Sequence, residues 1–165
     1  LSLAHVPNLC EVGLDPELWR VTSTNITSAV EMAAYVQAAL ETQAAGTALP
    51  FATILAAENR VIGSTRFANY DRGNRRVEIG WTWIAPPWQR SGANVEAKLL
   101  MLGHAFDVLG CNRVEFKTDA LNDKSRSALL GIGAQEEGTL RRHMVLWNGR
   151  IRDSVYFSVI REEWP

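Results

Sequence analysis

The sequence predicts an α+β fold, and three observations predict it. A capped stretch of helical period, residues 28–46, is followed by a block from Leu49 to Ile84 in which the apolar period drops to that of strands. Two turn clusters cut that block into three runs. Beyond Pro86 the chain alternates helix, strand and helix, then closes on two strands joined around Asn148-Gly149.

The elements follow in order. Ser2 to Gly13 reads as a helix, and "PELW" (Pro16–Trp19) as a short helical turn. Ser28 and Glu31 stand at capping-box spacing ahead of "AVEMAAYVQAAL", where Val30, Ala33, Val36 and Leu40 form an apolar stripe that Gly46 ends. "PFATILAA", "RVIGSTRFANY" and "RVEIGWTWI" are three antiparallel strands, separated by Glu58-Asn59 and by "DRGN" (Asp71–Asn74). "NVEAKLLMLGHAFDVLG" is a helix with Val95, Leu99, Leu102 and Phe106 on its apolar side, and Gly110 closes it. "CNRVEFKTDA" is a strand, "DKSRSALLGIG" a short helix, and "QEEGTLRRHMVLW" and "RDSVYFSVI" form the closing hairpin.

A chain of 165 residues is one domain's worth, 1–165, and a domain of that size buries roughly 70% of its unfolded surface. The formal net charge of −1 gives no global attraction to nucleic acid or to an anionic membrane. No apolar run has the length of a membrane span, and no leader precedes the first helix. Cys10 and Cys111 suggest neither a disulfide framework nor a metal knuckle, which fits a reducing, cytoplasmic compartment. His5, His104 and His143 are dispersed without metal-ligand spacing, and no serine sits in G-x-S-x-G. The chain opens on Leu1 rather than Met, so residues upstream are expected.

The chemistry begins at "QRSGAN", Gln89–Asn94, which leads from a strand into a helix. It contains neither a G-x-x-x-x-G-K-[ST] loop nor G-x-G-x-x-G, and the strands before it are antiparallel. Successive backbone amides at Gln89, Arg90, Ser91, Gly92, Ala93 and Asn94, with a helix dipole behind them, suit a pyrophosphate or belong to an ordinary loop. Gly92 permits close approach, and Asn94 is a good helix N-cap.

From Ser28 onward the order of elements resembles the GCN5-related N-acetyltransferases (GNAT), and specifically the RimJ/RimL-like branch that acetylates protein N-termini. The matching stretches are "EIGWTWI" (Glu78–Ile84), "QRSGAN", "NDKS" (Asn122–Ser125) and "GAQEEGTLR" (Gly133–Arg141). The resemblance implies a mixed, largely antiparallel sheet flanked by helices, with acetyl-CoA in the cleft where the sheet splays, no metal, and a first strand expected upstream of Leu1. It implies transfer of acetyl to a primary amine, a protein N-terminal α-amine or else a polyamine, amino sugar or amino acid. A non-catalytic acyl-CoA-binding module is the alternative, and a homodimer is compatible with such a chain.

Within that frame Trp83 and Ile84, halted by Pro86-Pro87, offer the pantetheine amides an unpaired strand edge. Asn122 reaches the pantetheine from the other side, or starts the next helix as an Asx turn. Lys98 is read as a solvated lysine before it is read as a phosphate ligand. Glu78 faces Gly80 and Thr82, with Val77, Ile79 and Trp81 on the opposite side. It is the acceptor's base, or else the partner of Arg66 or Arg113 in a cross-strand ion pair. The tyrosine acid common in the superfamily falls at Leu129, and the acid expected after Glu137 falls at Met144. Ser125 matches the serine that RimL-type enzymes place near the thioester sulfur, or it is a helix-capping hydroxyl.

Overall fold

The computed structural model describes residues 1–165. A 3-10 turn, Leu3–His5, runs into α1 (Val6–Gly13), and a second turn, Pro16–Leu18, starts at Asp15, whose carboxylate accepts from the Glu17 amide at 3.0 Å. Helix α2 (Ala29–Ala44) begins at Ser28, whose hydroxyl accepts from the Glu31 amide. Glu31 in turn reaches back to the amide of Thr27 at 2.7 Å, one residue earlier than in a standard capping box. Its buried row is Met32, Val36 and Ala39, while Val30 faces solvent. In so alanine-rich a helix the stripe is faint, and the long Met32 side chain fixes which face turns inward.

The six strands are β1 (Ala48–Leu55), β2 (Arg60–Asp71), β3 (Arg76–Ile84), β4 (Arg113–Asp119), β5 (Gln135–Val145) and β6 (Ile151–Ile160). They lie in one sheet in the order β1-β2-β3-β4-β6-β5. Pro50 is accommodated because β1 is an edge strand. All neighbours are antiparallel except β3 and β4, which pair parallel over Arg76↔Arg113, Val77↔Val114 and Glu78↔Glu115 and then separate. This is the mixed, largely antiparallel splayed sheet that the motifs imply.

Beyond the three pairs, β3 is bulged. Arg66 of β2 faces Gly80 while Ser64 faces Trp83, so two β3 residues stand against Thr65 alone. Trp81 takes up the extra residue with φ 50°, a left-handed conformation unusual for a large side chain. The bulge reverses the alternation that the sequence suggested. Val77 and Ile79 enter a core with Leu102, Phe106, Phe116 and Phe157 beneath α3 (Ala93–Gly103) and α4 (Asp123–Gly131). Trp83 instead enters a second core with Leu9, Trp19, Met32 and Val36 under α1 and α2. Trp81 therefore sides with Glu78, and Thr82 turns toward α3.

Helix α3 continues into a wider π turn, His104–Val108. Leu102 and Phe106 are buried as the periodicity predicts, but Val95 and Leu99 are exposed. The inward row is Lys98, Met101, Leu102, Ala105 and Phe106, spaced i, i+3, i+4, i+7 and i+8. A lysine at an inward position hid that row from a hydrophobicity reading.

Candidate active site

The gap between β3 and β4 opens directly past Glu78 and Glu115. On β4, Val114 and Phe116 point into the core under α3 and α4, so Glu115, Lys117 and Asp119 point to the other face. On β6 the core residues Val155, Phe157 and Val159 likewise leave Ser154, Tyr156 and Ser158 on that face. The result is an open cleft of about 720 Å³, lined among others by Asn69, Arg76, Glu78, Glu115, Lys117 and Tyr156.

Glu78 is only 5% exposed. Its Oε2 accepts from Asn69 Nδ2 at 2.7 Å, and its Oε1 lies 3.7 Å from Lys117 Nζ. Neither expected ion-pair partner is used. Arg113 is held by Glu115 and by Glu137, and Arg66 is stacked between Tyr35 and Trp81. The Arg113 guanidinium, helped by the Ser158 hydroxyl, holds the Glu137 carboxyl down at about 2. Gly80 gives Glu78 its room, since a Cβ there would lie 3.1 Å from Glu78 Oε1. Tyr156 has its phenol raised above its ordinary value, first by burial and then by the charges of Glu78 and Glu115, so it stays protonated.

Because β3 and β4 run parallel, the segments that follow them lie at the same end of the gap, the position where open sheets with parallel neighbours hold ligands. After β3, a 3-10 turn at Pro86–Trp88 leads to the 89–94 turn, which is tied back by Gln89 Nε2 donating to the Ile84 carbonyl at 2.9 Å. That bond satisfies the Ile84 carbonyl from within the chain. Trp83 is buried edge-on against Trp19, with ring centroids 5.3 Å apart. On the β4 side the ladder ends at Glu78, and the strand edge from Ile79 onward has no partner strand.

Arg90 (φ 64°) and Gly92 (φ 88°) are both left-handed, which turns successive amides to one side as in an anion-binding nest. Gly92, not Asn94, is the N-cap of α3, and the nearest side chain, the Ser91 hydroxyl, accepts from the Ala93 amide at 3.4 Å. Asn94 lies inside the first turn with Oδ1 buried and unpartnered. A residue with helical φ and ψ cannot be an N-cap, and the left-handed Gly92 moved the boundary two residues earlier. The orphan amides of α3, Asn94 and Val95, therefore extend one position past the stretch that the sequence marked.

Lys98 departs furthest from expectation. It is not solvated: it is 4% exposed, beneath the β3 bulge, donating to Thr82 Oγ1 at 2.6 Å and Thr65 Oγ1 at 3.2 Å. Desolvation lowers its ammonium from 10.5 to about 7.

After β4, Asn122 caps α4, its Oδ1 accepting from the Ser125 amide at 3.1 Å. The cap leaves Asn122 Nδ2 free of that bond. Ser125, half-buried, gives its amide and not its hydroxyl to the cap, so the helix start does not depend on its side chain. Leu129 is a core residue, and Met144 pairs with Arg152 across the β5–β6 hairpin. His143 stands edge-on to Tyr156, with centroids 6.0 Å apart.

Lys117, Tyr156 and Asn69 escaped the sequence reading. The first two were within reach of it. In "RVEFKTD" and "SVYFSV" the polar residues recur at every second position opposite apolar ones, which marks one polar face shared by two neighbouring strands. Asn69 had no such signal, since its left-handed φ of 52° lies in the irregular end of β2.

A splayed sheet with an amide-rich turn on one side of the gap and a capped helix on the other is the architecture of acyl-CoA-dependent transferases. Residues 1–135 match the Acetyltransferase (GNAT) domain, and the chain belongs to that family, whose members use acetyl-CoA. It is 35% identical over 107 residues to the "putative ribosomal N-acetyltransferase YdaF" of Bacillus subtilis, covering 65% of this chain and 57% of that protein. It is 32% identical over 101 residues to the uncharacterized N-acetyltransferase YoaA of the same organism, covering 61% of this chain and 56% of that one. The matches thus span somewhat over half the length of these relatives. The crystal structure of a GCN5-related N-acetyltransferase from Brucella melitensis is 31% identical, with a TM-score of 0.90 over 98% of this chain and 73% of that one. The first of these relatives agrees with the RimJ/RimL-like branch. No helix is long and apolar enough to cross a membrane, and no group of three His, Cys, Asp or Glu side chains is placed to hold a metal.

Proposed function

We propose that this protein transfers the acetyl group of acetyl-CoA to a primary amine by direct attack in a ternary complex, the amine being a protein N-terminal α-amine. The observation that carries the reading is the parting of β3 and β4 beyond Glu78, with the left-handed turn at Arg90–Gly92 and the Asn122 cap at the same open end. Acetyl-CoA supplies the activated thioester. Its diphosphate suits the amides of the Arg90–Val95 turn that have no partner within the chain, chiefly Gly92, Asn94 and Val95, and its pantetheine suits the free edge of β3 beyond Glu78, with Asn122 on the far side of the gap. The Ile84 carbonyl, held by Gln89, contributes shape rather than a hydrogen bond.

Glu78 is the group we assign to take the proton from the acceptor ammonium. It is buried, adjoins the space over Gly80, and opens on the cleft. Ser125 is assigned to hold a hydrogen bond to the departing sulfur while solvent delivers the proton. We place the reaction in the cytoplasm, consistent with the free thiols of Cys10 and Cys111. Of the small amines, polyamines, amino sugars and amino acids remain the acceptors to set against peptide N-termini. Incubating the protein with acetyl-CoA and such a panel, and following thiol release, tests the reading. Tight donor binding with no thiol released from any acceptor would leave an acyl-CoA-binding module.

Two variants probe the donor side. A Cβ at Gly92 meets nothing within 4 Å, so Gly92→Val keeps the fold; its strain, at φ 88°, costs about 1–2 kcal/mol. Calorimetry should show acetyl-CoA affinity reduced at least about tenfold as the turn distorts, and an undiminished affinity would move the diphosphate elsewhere. Ser125→Ala should lower kcat by about ten- to a thousand-fold with donor affinity unmoved. Since Asn122 is the cap, its melting temperature should stay at that of the wild type. A fall in melting temperature without a fall in kcat would return Ser125 to a structural role.

A further inference from the structure

A second concavity, about 400 Å³, lies on the α2 side of the bulge, between the Thr24–Ile26 segment, α2 and the β2–β3 strands. Its polar lining is Thr24, Asn25, Glu31, Tyr35 and Arg66. Arg66, 6% exposed, lies with its guanidinium carbon 5.3 Å from the Tyr35 ring centroid and 5.0 Å from that of Trp81. Its Nε is buried without a hydrogen-bond partner, and so is the Tyr35 hydroxyl. Two buried donors, one of them cationic, thus share a pocket in which neither has an acceptor. Leaving such buried donors unpaired is costly, and more so for a charge. Glu31, the carboxylate of this pocket, is already engaged by Thr27 and Ser28 at the start of α2. What Arg66 Nε and the Tyr35 hydroxyl lack is an acceptor.

The pocket adjoins the proposed base. Arg66 stands directly across from Gly80, and Gly80 is the residue over which the Glu78 carboxylate lies. A molecule with its amine at Glu78 therefore extends naturally into the space beside Arg66, between the flat rings of Tyr35 and Trp81 and the small side chains of Ala34 and Ala38.

We propose that this pocket binds a carboxylate carried by the acceptor, so that the acceptor is an amine bearing a nearby carboxylate. The proposal rests on the acetyl-transfer reading for the position of the amine. A free amino acid and a peptide with an acidic residue beside its N-terminus both present that chemistry. The Arg66 guanidinium donates to the carboxylate, and the Tyr35 hydroxyl supplies a further donor.

The test uses matched pairs of acetylated products in calorimetry without donor: N-acetyl amino acids against their carboxamides, and acetyl-Ser-Asp-amide against acetyl-Ser-Asn-amide. In the wild type the carboxylate member of at least one pair should bind at least about tenfold more tightly. The amino-acid pair points to a small acceptor and the peptide pair to a protein terminus. In Arg66→Gln the preference should collapse, and in Arg66→Lys part of it should return. Equal affinity within both pairs, or no binding of either member, overturns the proposal on the wild type alone, whether or not the variants fold. The corresponding unacetylated amines, assayed with acetyl-CoA, separate the two readings. Turnover without a carboxylate preference retains the transferase and removes the pocket. A carboxylate preference in binding without turnover retains the pocket and removes the transferase.

Discussion

Glu78→Gln should lower kcat at neutral pH by about a hundred- to a thousand-fold and leave acetyl-CoA affinity where it was, because a positioned base contributes roughly that much to proton transfer. The substitution keeps the shape of the side chain and an oxygen for Asn69 Nδ2, so the bond at 2.7 Å persists, while an amide NH2 replaces the charged oxygen that faces Lys117. An amine deprotonated by the solvent no longer needs the carboxylate. The variant should therefore recover part of its rate as pH rises toward the ordinary range of an α-amine, about 8. The comparison is a pair of pH–rate profiles with the same acceptor. A variant as fast as wild type at pH 7 would reduce Glu78 to the anchor of Asn69 and Lys117.

The second large effect is on stability. Lys98 sits beneath the bulge with two hydroxyls and no carboxylate, and burial lowers its folded-state value to about 7 against 10.5 for the free side chain. Below pH 7 both folded and unfolded chains carry the charge, and the folded one bears the full cost of burying it. Between about pH 7 and 10.5 the unfolded chain binds the extra proton, so stability rises with pH across that window and levels off above it. Lys98→Met fits the same inward row and abolishes the cost, while Thr65 and Thr82 keep their mutual bond at 2.7 Å. The variant should be more stable than wild type by on the order of 3 kcal/mol at pH 6, with the advantage shrinking toward pH 10. Denaturant titrations at the two pH values decide it: a pH-independent difference would mean that Lys98 is not the titrating group.

The contrast between these residues shows what the sequence could reveal. The order of strands and helices follows period and turn residues, since Gly46, Asp71–Asn74, Pro86 and Gly149 punctuate the chain through local backbone chemistry. Glu78 and the 89–94 turn were legible for the same reason: a lone carboxylate in an apolar strand and a glycine turn ahead of a helix are local signals. Lys98 was not, because its burial is decided by Thr65 and Thr82, two residues on strands far away in sequence. The pairing of Arg66 with aromatic rings was hidden likewise, since only the bulge at Trp81 turns that indole toward Glu78's side of the sheet. A single extra residue in a ladder is invisible to a period-two pattern, yet it changes the facing of everything after it.

The short parallel seam has a mechanical consequence. The sheet consists of two plates, β1–β3 and β4–β6, stitched by three residue pairs at one end and hinged open at the other. The shared core under α3 and α4 glues one side, and on the other the Trp147 indole reaches across to the Trp19 carbonyl at 3.4 Å. A ligand lying in the gap works as a splint, lengthening the seam by lending its own amides to both plates. Occupancy should therefore stiffen the edges it bridges, and slowed amide exchange should gather along residues 79–84 and 116–119 rather than spread through the helices.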